Sequence, residues 1–160
     1  MNRTCRVSGC VSPVRSSRAT MCERHRARWR RHGDPMQETI SQKELRPYLR
    51  RVERLIQRNT SGKIESGLHQ IKTLLEMSSQ EVVSDFYERG RAMNRQWVRA
   101  NQEILKVLKD SEPIRIGVTL AAMYLLQHED PRRFASDRGM VFELVRKYRS
   151  LTDRNIGSYY

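Results

Sequence analysis

Apolar residues are sparse and irregular over the first 40 or so positions of this 160-residue chain and become periodic from Leu45 onward. From there Leu45, Tyr48, Leu49, Val52, Leu55 and Ile56 recur every three or four residues, the spacing that gathers side chains on one side of a helix. Ser41 and Glu44 form a capping box ahead of it, while Pro47 predicts either a kink or a start nearer Leu45. NTSGK (59–63) reads as a loop; its single glycine, with no apolar strand before it, is not a phosphate-binding loop. Ile64, Leu68, Ile71, Leu74 and Leu75 predict a helix over 63–76. MSSQE (77–81) predicts a break with a new cap at Ser78 or Ser79, followed by a long helix over 80–109. In that stretch Val83, Phe86, Gly90, Met93, Trp97, Ile104 and Leu108 approach a heptad seam, weakened by Gly90 and Asn101, that suits a bundle core or a dimeric coiled coil. Pro113 opens a further helix, and Ile114 to Leu126 is apolar nearly all round, as the centre of a bundle must be. Ser136 and Asp137 cap a last helix bearing Val141, Phe142, Leu144, Val145, Tyr148 and Leu151, and the tail TDRNIGSYY reads as loose.

The aperiodic start has a different logic. Residues 5–35, CRVSGCVSPVRSSRATMCERHRARWRRHGDP, hold all three cysteines and two of the four histidines. The spacing is Cys5-x4-Cys10-x11-Cys22-x2-His25: a knuckle-like turn with Gly9 before its second cysteine, then a pair on one face of a helical turn. Cys3His is a closed tetrahedral set for one structural Zn²⁺, with no position left for a reacting water. A segment this short and polar buries too little to fold alone, so metal binding is what folds it. Between the pairs, VSPVRSSRATM reads as a short β-hairpin turning near Ser16–Ser17. A helix over 22–32 follows, ended by Gly33 and Pro35. Knuckle, hairpin and ligand-bearing helix together make a treble-clef-like finger. The expected fold is therefore mostly α, with this finger at residues 1–35, a polar connector and basic amphipathic helix at 36–62, and a multi-helix bundle at 63–160.

The finger resembles the small treble-clef zinc fingers of phage and bacterial proteins related to HNH endonucleases. The likeness lies in Gly9-Cys10, Cys22-Glu23-Arg24-His25, the Arg28-Trp29-Arg30-Arg31 run and Gly33-Asp34-Pro35, and it covers residues 5–35 only. It implies a bound zinc and nucleic-acid contact by the finger. The catalytic part of that pattern is missing: no His-His or Asp-His pair occurs, and His69 and His128 stand alone in helical segments.

Charge points the same way. The net charge is +13, and residues 1–58 alone carry fourteen arginines and one lysine against five acidic groups. Arginine offers a planar fork to phosphates and guanine edges. Arg24, Arg26, Arg28, Arg30 and Arg31 ring the finger helix outside its ligand face, and Arg46, Arg50, Arg54 and Arg58 recur every four residues on the next helix. Trp29 and His32 share the ligand side, so Trp29 is expected as the finger's packing residue, and His32 becomes a ligand only in a shifted register.

The reading these features favour is a non-enzymatic, zinc-dependent nucleic-acid-binding protein, DNA before RNA, whose helical region serves as a homodimer or partner surface. An alternative is an assembly or regulatory factor of a phage or mobile element, its zinc structural and its arginines docking an acidic protein. A third is an HNH-related nuclease. No stretch has the roughly 20 apolar residues a membrane span needs, and the N-terminus lacks a signal-peptide core, so a cytoplasmic protein of a bacterial or phage-infected cell is expected.

Overall fold

A computed structural model of the chain describes residues 3–152, and the tail expected to be loose lies outside them beyond Thr152. Six α-helices follow one another: α1 (Glu23–His32), α2 (Gln42–Arg58), α3 (Lys63–Tyr87), α4 (Arg95–Asp110), α5 (Pro113–Glu129) and α6 (Asp137–Arg149), with a 3-10 turn at Pro131–Arg133 between the last two. By compactness the chain groups into two units. One comprises Met1–Arg46 and Met123–Arg146, the other Pro47–Ala122 and Lys147–Tyr160.

The expected β-hairpin is absent: no strand occurs among the described residues. A single antiparallel bridge joins Thr4 to Pro13, across the knuckle instead of across Ser16–Ser17. The turn at Ser16 does form, with Ala19 N–H donating to Ser16 O, but its arms never pair as a ladder. The arms cannot sustain one. Pro13 has no N–H to donate, and the few apolar residues bury little, Val11 being almost fully exposed.

In the first unit the helix boundaries follow local chemistry. Ser41 and Glu44 close the expected capping box: Glu44 N–H donates to Ser41 Oγ at 3.1 Å and Ser41 N–H to Glu44 Oε2 at 3.2 Å. Pro47 lies inside α2, which nonetheless begins at Gln42. Residues 36–44, read as a polar connector, are in part core: Ile40 and Gln37 are fully buried beside Leu45, Met123, Leu126, Phe134 and Met140. Gln37 is buried because its amide is satisfied, accepting from Ala135 N–H at 2.9 Å and donating to Glu38 O at 2.7 Å. Arg133 fastens the same stretch, donating to Thr39 O at 2.9 Å and pairing with the Glu44 carboxylate.

Gly33 terminates α1 at φ 74°, and its N–H donates to Trp29 O at 2.9 Å. A side chain there would meet the Phe142 ring at 2.5 Å and the Arg138 carbonyl at 3.0 Å. Gly33→Ala combines the left-handed penalty with overpacking, and is expected to destabilise this unit by about 2–4 kcal/mol in urea denaturation.

In the second unit α3 packs along α4. Val52, Val98, Val107, Leu108, Ile116, Val118 and Ala122 are its buried apolar residues. Gly117 lets α5 approach α3: a Cβ there would run into the Leu68 side chain. The break expected at 77–81 does not occur, and the helix expected over 80–109 is two helices. Leu75 and Val82, seven apart, are in phase on one helix, and no glycine or proline interrupts them. The stop comes at Tyr87, with Glu88 as C-cap, and Gly90 follows at φ 65°; buried Asp85 of the last turns accepts from Arg89 and Arg91 at 2.5 and 2.6 Å.

Candidate metal centre

Cys5, Cys10, Cys22 and His25 converge, their ligand atoms all within 4.8 Å of one another. Local backbone geometry brings them there. Cys5 N–H donates to Ser12 O at 2.9 Å, and Cys10 N–H to Val7 O at 3.0 Å through a turn that needs Gly9 at φ 74°. Arg6 N–H reaches Thr20 O at 2.9 Å, which delivers the chain to Cys22. Cys22 is the N-cap of α1 in extended conformation, and its side chain does not cap the helix. Its Sγ faces His25 Nδ1 at 3.4 Å, one turn on. Cys5 Sγ lies 3.3 Å from the same nitrogen, and Cys10 Sγ 3.9 Å from Cys22 Sγ. Cys5, Cys22 and His25 are buried and Cys10 is half-buried. Four donors at these separations can hold one metal ion, with Nδ1 as the imidazole ligand atom.

The thiols are unequal. Hydrogen bonds from the Ser12 backbone N–H and hydroxyl hold the Cys10 thiol below its ordinary range and favour its thiolate. At Cys22 the His25 backbone N–H acts in the same direction, but burial and the sulfurs of Cys5 and Cys10 together outweigh it and push the thiol up. A metal ion reverses that balance by compensating the clustered negative charge. Among the described residues this is the only cluster of three or more His, Cys, Asp or Glu groups able to hold a metal. His69 and His128 belong to no such group, and both are exposed.

The two further residues expected on the ligand side behave otherwise. His32 is not a ligand: it is buried against Glu143 of α6, Nδ1 to Oε1 at 2.6 Å. The second oxygen of Glu143 accepts Ile40 N–H at 2.9 Å. Trp29 is in part turned outward. It is 38 % exposed, with the Arg138 guanidinium 5.2 Å from its ring centroid and that same guanidinium 5.5 Å from the Phe142 ring centroid. Neither Glu143 nor Arg138 was legible as a partner, because both lie more than a hundred residues along the chain.

Among the expected cations, Arg24, Arg26, Arg30 and Arg31 of α1 are exposed and form no ion pair within the described residues. Arg28 is half-buried and reaches Glu38 at 3.4 Å. Arg46, Arg50 and Arg54 are exposed along α2, likewise unpaired among the described residues. No helix is long and apolar enough to cross a membrane. No family model, curated protein or solved structure matches the chain.

Proposed function

We propose that the chain is a zinc-dependent nucleic-acid-binding protein without catalysis of its own, engaging duplex DNA in the first instance through the arginines of α1. The observation that carries this reading is the exposure of Arg24, Arg26, Arg30 and Arg31, without an ion pair among the described residues, on the helix that supplies His25. Zinc is the metal best suited to the donors. A tetrahedron with Zn–S near 2.3 Å and Zn–N near 2.05 Å has edges of about 3.8 Å between sulfurs and about 3.6 Å from sulfur to nitrogen. The separations here are 3.9 Å between Cys10 and Cys22, and 3.3 and 3.4 Å from Cys5 and Cys22 to His25. Four protein donors leave no open position for a reacting water, and neither His69 nor His128 has a metal-binding neighbourhood, which supports a binding protein over a nuclease. Arg46, Arg50 and Arg54 extend the cationic set along α2. A protein of this kind works in the cytoplasm of a bacterial or phage-infected cell.

Each arginine–phosphate pairing releases condensed counterions, contributing about −0.9 to the slope of log K against log salt on duplex DNA. Replacing Arg26, Arg30 and Arg31 together by alanine is expected to weaken binding and flatten that slope by about 0.9 for each phosphate no longer neutralised, with zinc content unchanged. Fluorescence anisotropy over a salt series measures both. Equal binding by parent and variant to duplex DNA, single-stranded DNA and structured RNA would reject a nucleic-acid site and leave an acidic protein as the partner for these cations.

A further inference from the structure

Half of α3 presents an apolar stripe that none of the described residues covers. Ile71 is 51 % exposed, Leu74 66 % and Met77 65 %, with Ile64 and Leu75 above a third exposed. Leu68 and Ser79, on the adjoining face, are turned inward. Along the uncovered side Ile64, Gly67, Ile71, Leu74 and Ser78 follow alternating steps of three and four, the a/d spacing of a two-helix seam. The seam read from the sequence at 80–109 is thus not the uncovered one; that lies some fifteen residues earlier, on a helix 25 residues long.

We infer that this face pairs with α3 of a second copy of the chain, antiparallel, about a two-fold axis passing between Lys72 and Thr73. Three observations select that occupant. The first is charge. The chain carries +13, yet α3 holds two lysines against four acidic groups, a net of −2. It is a surface on which two such cationic chains can meet without setting arginine against arginine, and it offers a polyanion nothing. The second is self-complementarity. The two-fold sets Ile71 against Leu74 of the second copy, and Gly67 against Ser78, so that large residues meet at the centre and small ones let the backbones close at both ends. The third is area. The exposed parts of the five apolar side chains come to about 500 Å² per chain, hence about 1,000 Å² for a pair, the lower bound for a specific interface. A dimer of this kind carries two cationic fingers, a bivalent arrangement. The inference does not depend on what the fingers bind.

Multi-angle light scattering of the zinc-loaded full chain, run from 1 to about 200 µM in high salt, reads the association. Twice the chain mass is expected in the upper part of that range. Leu74→Glu and Ile71→Glu should each weaken association at least 100-fold while leaving helical circular dichroism intact, since both side chains project outward. Val141→Glu, an equally exposed apolar position on α6, should leave the dimer unchanged. A monomer throughout the range, or a dimer indifferent to both Leu74→Glu and Ile71→Glu, overturns the inference.

Discussion

Stripping the metal from the purified protein will unfold the knuckle and leave α2 to α5 helical. Residues 5–22 contain one β-bridge and a few turns, held by isolated backbone hydrogen bonds such as Cys5 N–H to Ser12 O. Their apolar content is slight, and Val11 buries almost nothing. Ordering that many residues costs about 1–2 kcal/mol each in backbone entropy, and burial on this scale cannot offset it. A structural zinc in a finger binds with an apparent free energy of about 10–16 kcal/mol, which can. Metal analysis is therefore expected to find one zinc per chain. After chelation, hydrogen exchange should accelerate at the amides of Cys5, Arg6, Cys10 and Val14, all hydrogen-bonded in the fold. Far-ultraviolet circular dichroism should fall only slightly, because α1 is ten residues among some hundred helical ones. Cys22→Ser should behave as the stripped protein does, losing both a ligand and the joint between knuckle and α1. A preparation without metal that still protects those amides would remove the site.

The candidate metal ligands were legible because metal coordination calls for short-range spacing. Cys5 with Cys10 and Cys22 with His25 are local pairs, and their convergence needs only one intervening loop. The helices were legible wherever apolar periodicity was long, as in α2 and α5, and wherever a cap sat at the start, as at Ser41 and Ser136. Two kinds of feature were not legible. A serine pair is a weak stop signal, and at Ser78–Ser79 it lost to the in-phase apolar residues on either side. The long-range polar bonds left no local trace at all. Gln37, Arg133 and Glu143 read as surface residues by composition and His32 as part of the ligand face, yet each is at least partly buried by a partner about a hundred residues away. A fragment of residues 41–160, without the finger, would meet the same obstacle. That cut removes His32 and Ile40, the two groups that satisfy Glu143, and Gln37, which satisfies Ala135 N–H. In such a fragment residues 123–146 are expected to lose their packing.

Glu143 is the residue on which that packing turns. Its side chain has no exposure, and an unpartnered carboxylate would not remain there. One oxygen meets His32 Nδ1 at 2.6 Å and the other accepts Ile40 N–H at 2.9 Å. Arg146 Nε, 3.7 Å away, adds positive charge from the same helix. Through these bonds α6 holds the last turn of the finger helix and the stretch leading into α2. Glu143→Ala strands two buried donors and opens a cavity, and the expected loss is about 3–5 kcal/mol, on the order of 10 °C in melting temperature. Zinc stoichiometry should be unchanged, since no ligand touches Glu143. Glu143→Gln keeps the shape and an acceptor for Ile40 N–H, and should cost distinctly less. His32→Ala leaves the carboxylate with half its donors and should cost nearly as much as Glu143→Ala. Because the two side chains form one unit, the double variant should be less destabilised than the two single variants summed, by about 1–3 kcal/mol. Additive effects, or a Glu143→Ala protein within about 1 kcal/mol of the parent, would mean that the finger and the C-terminal helix are held by apolar packing alone.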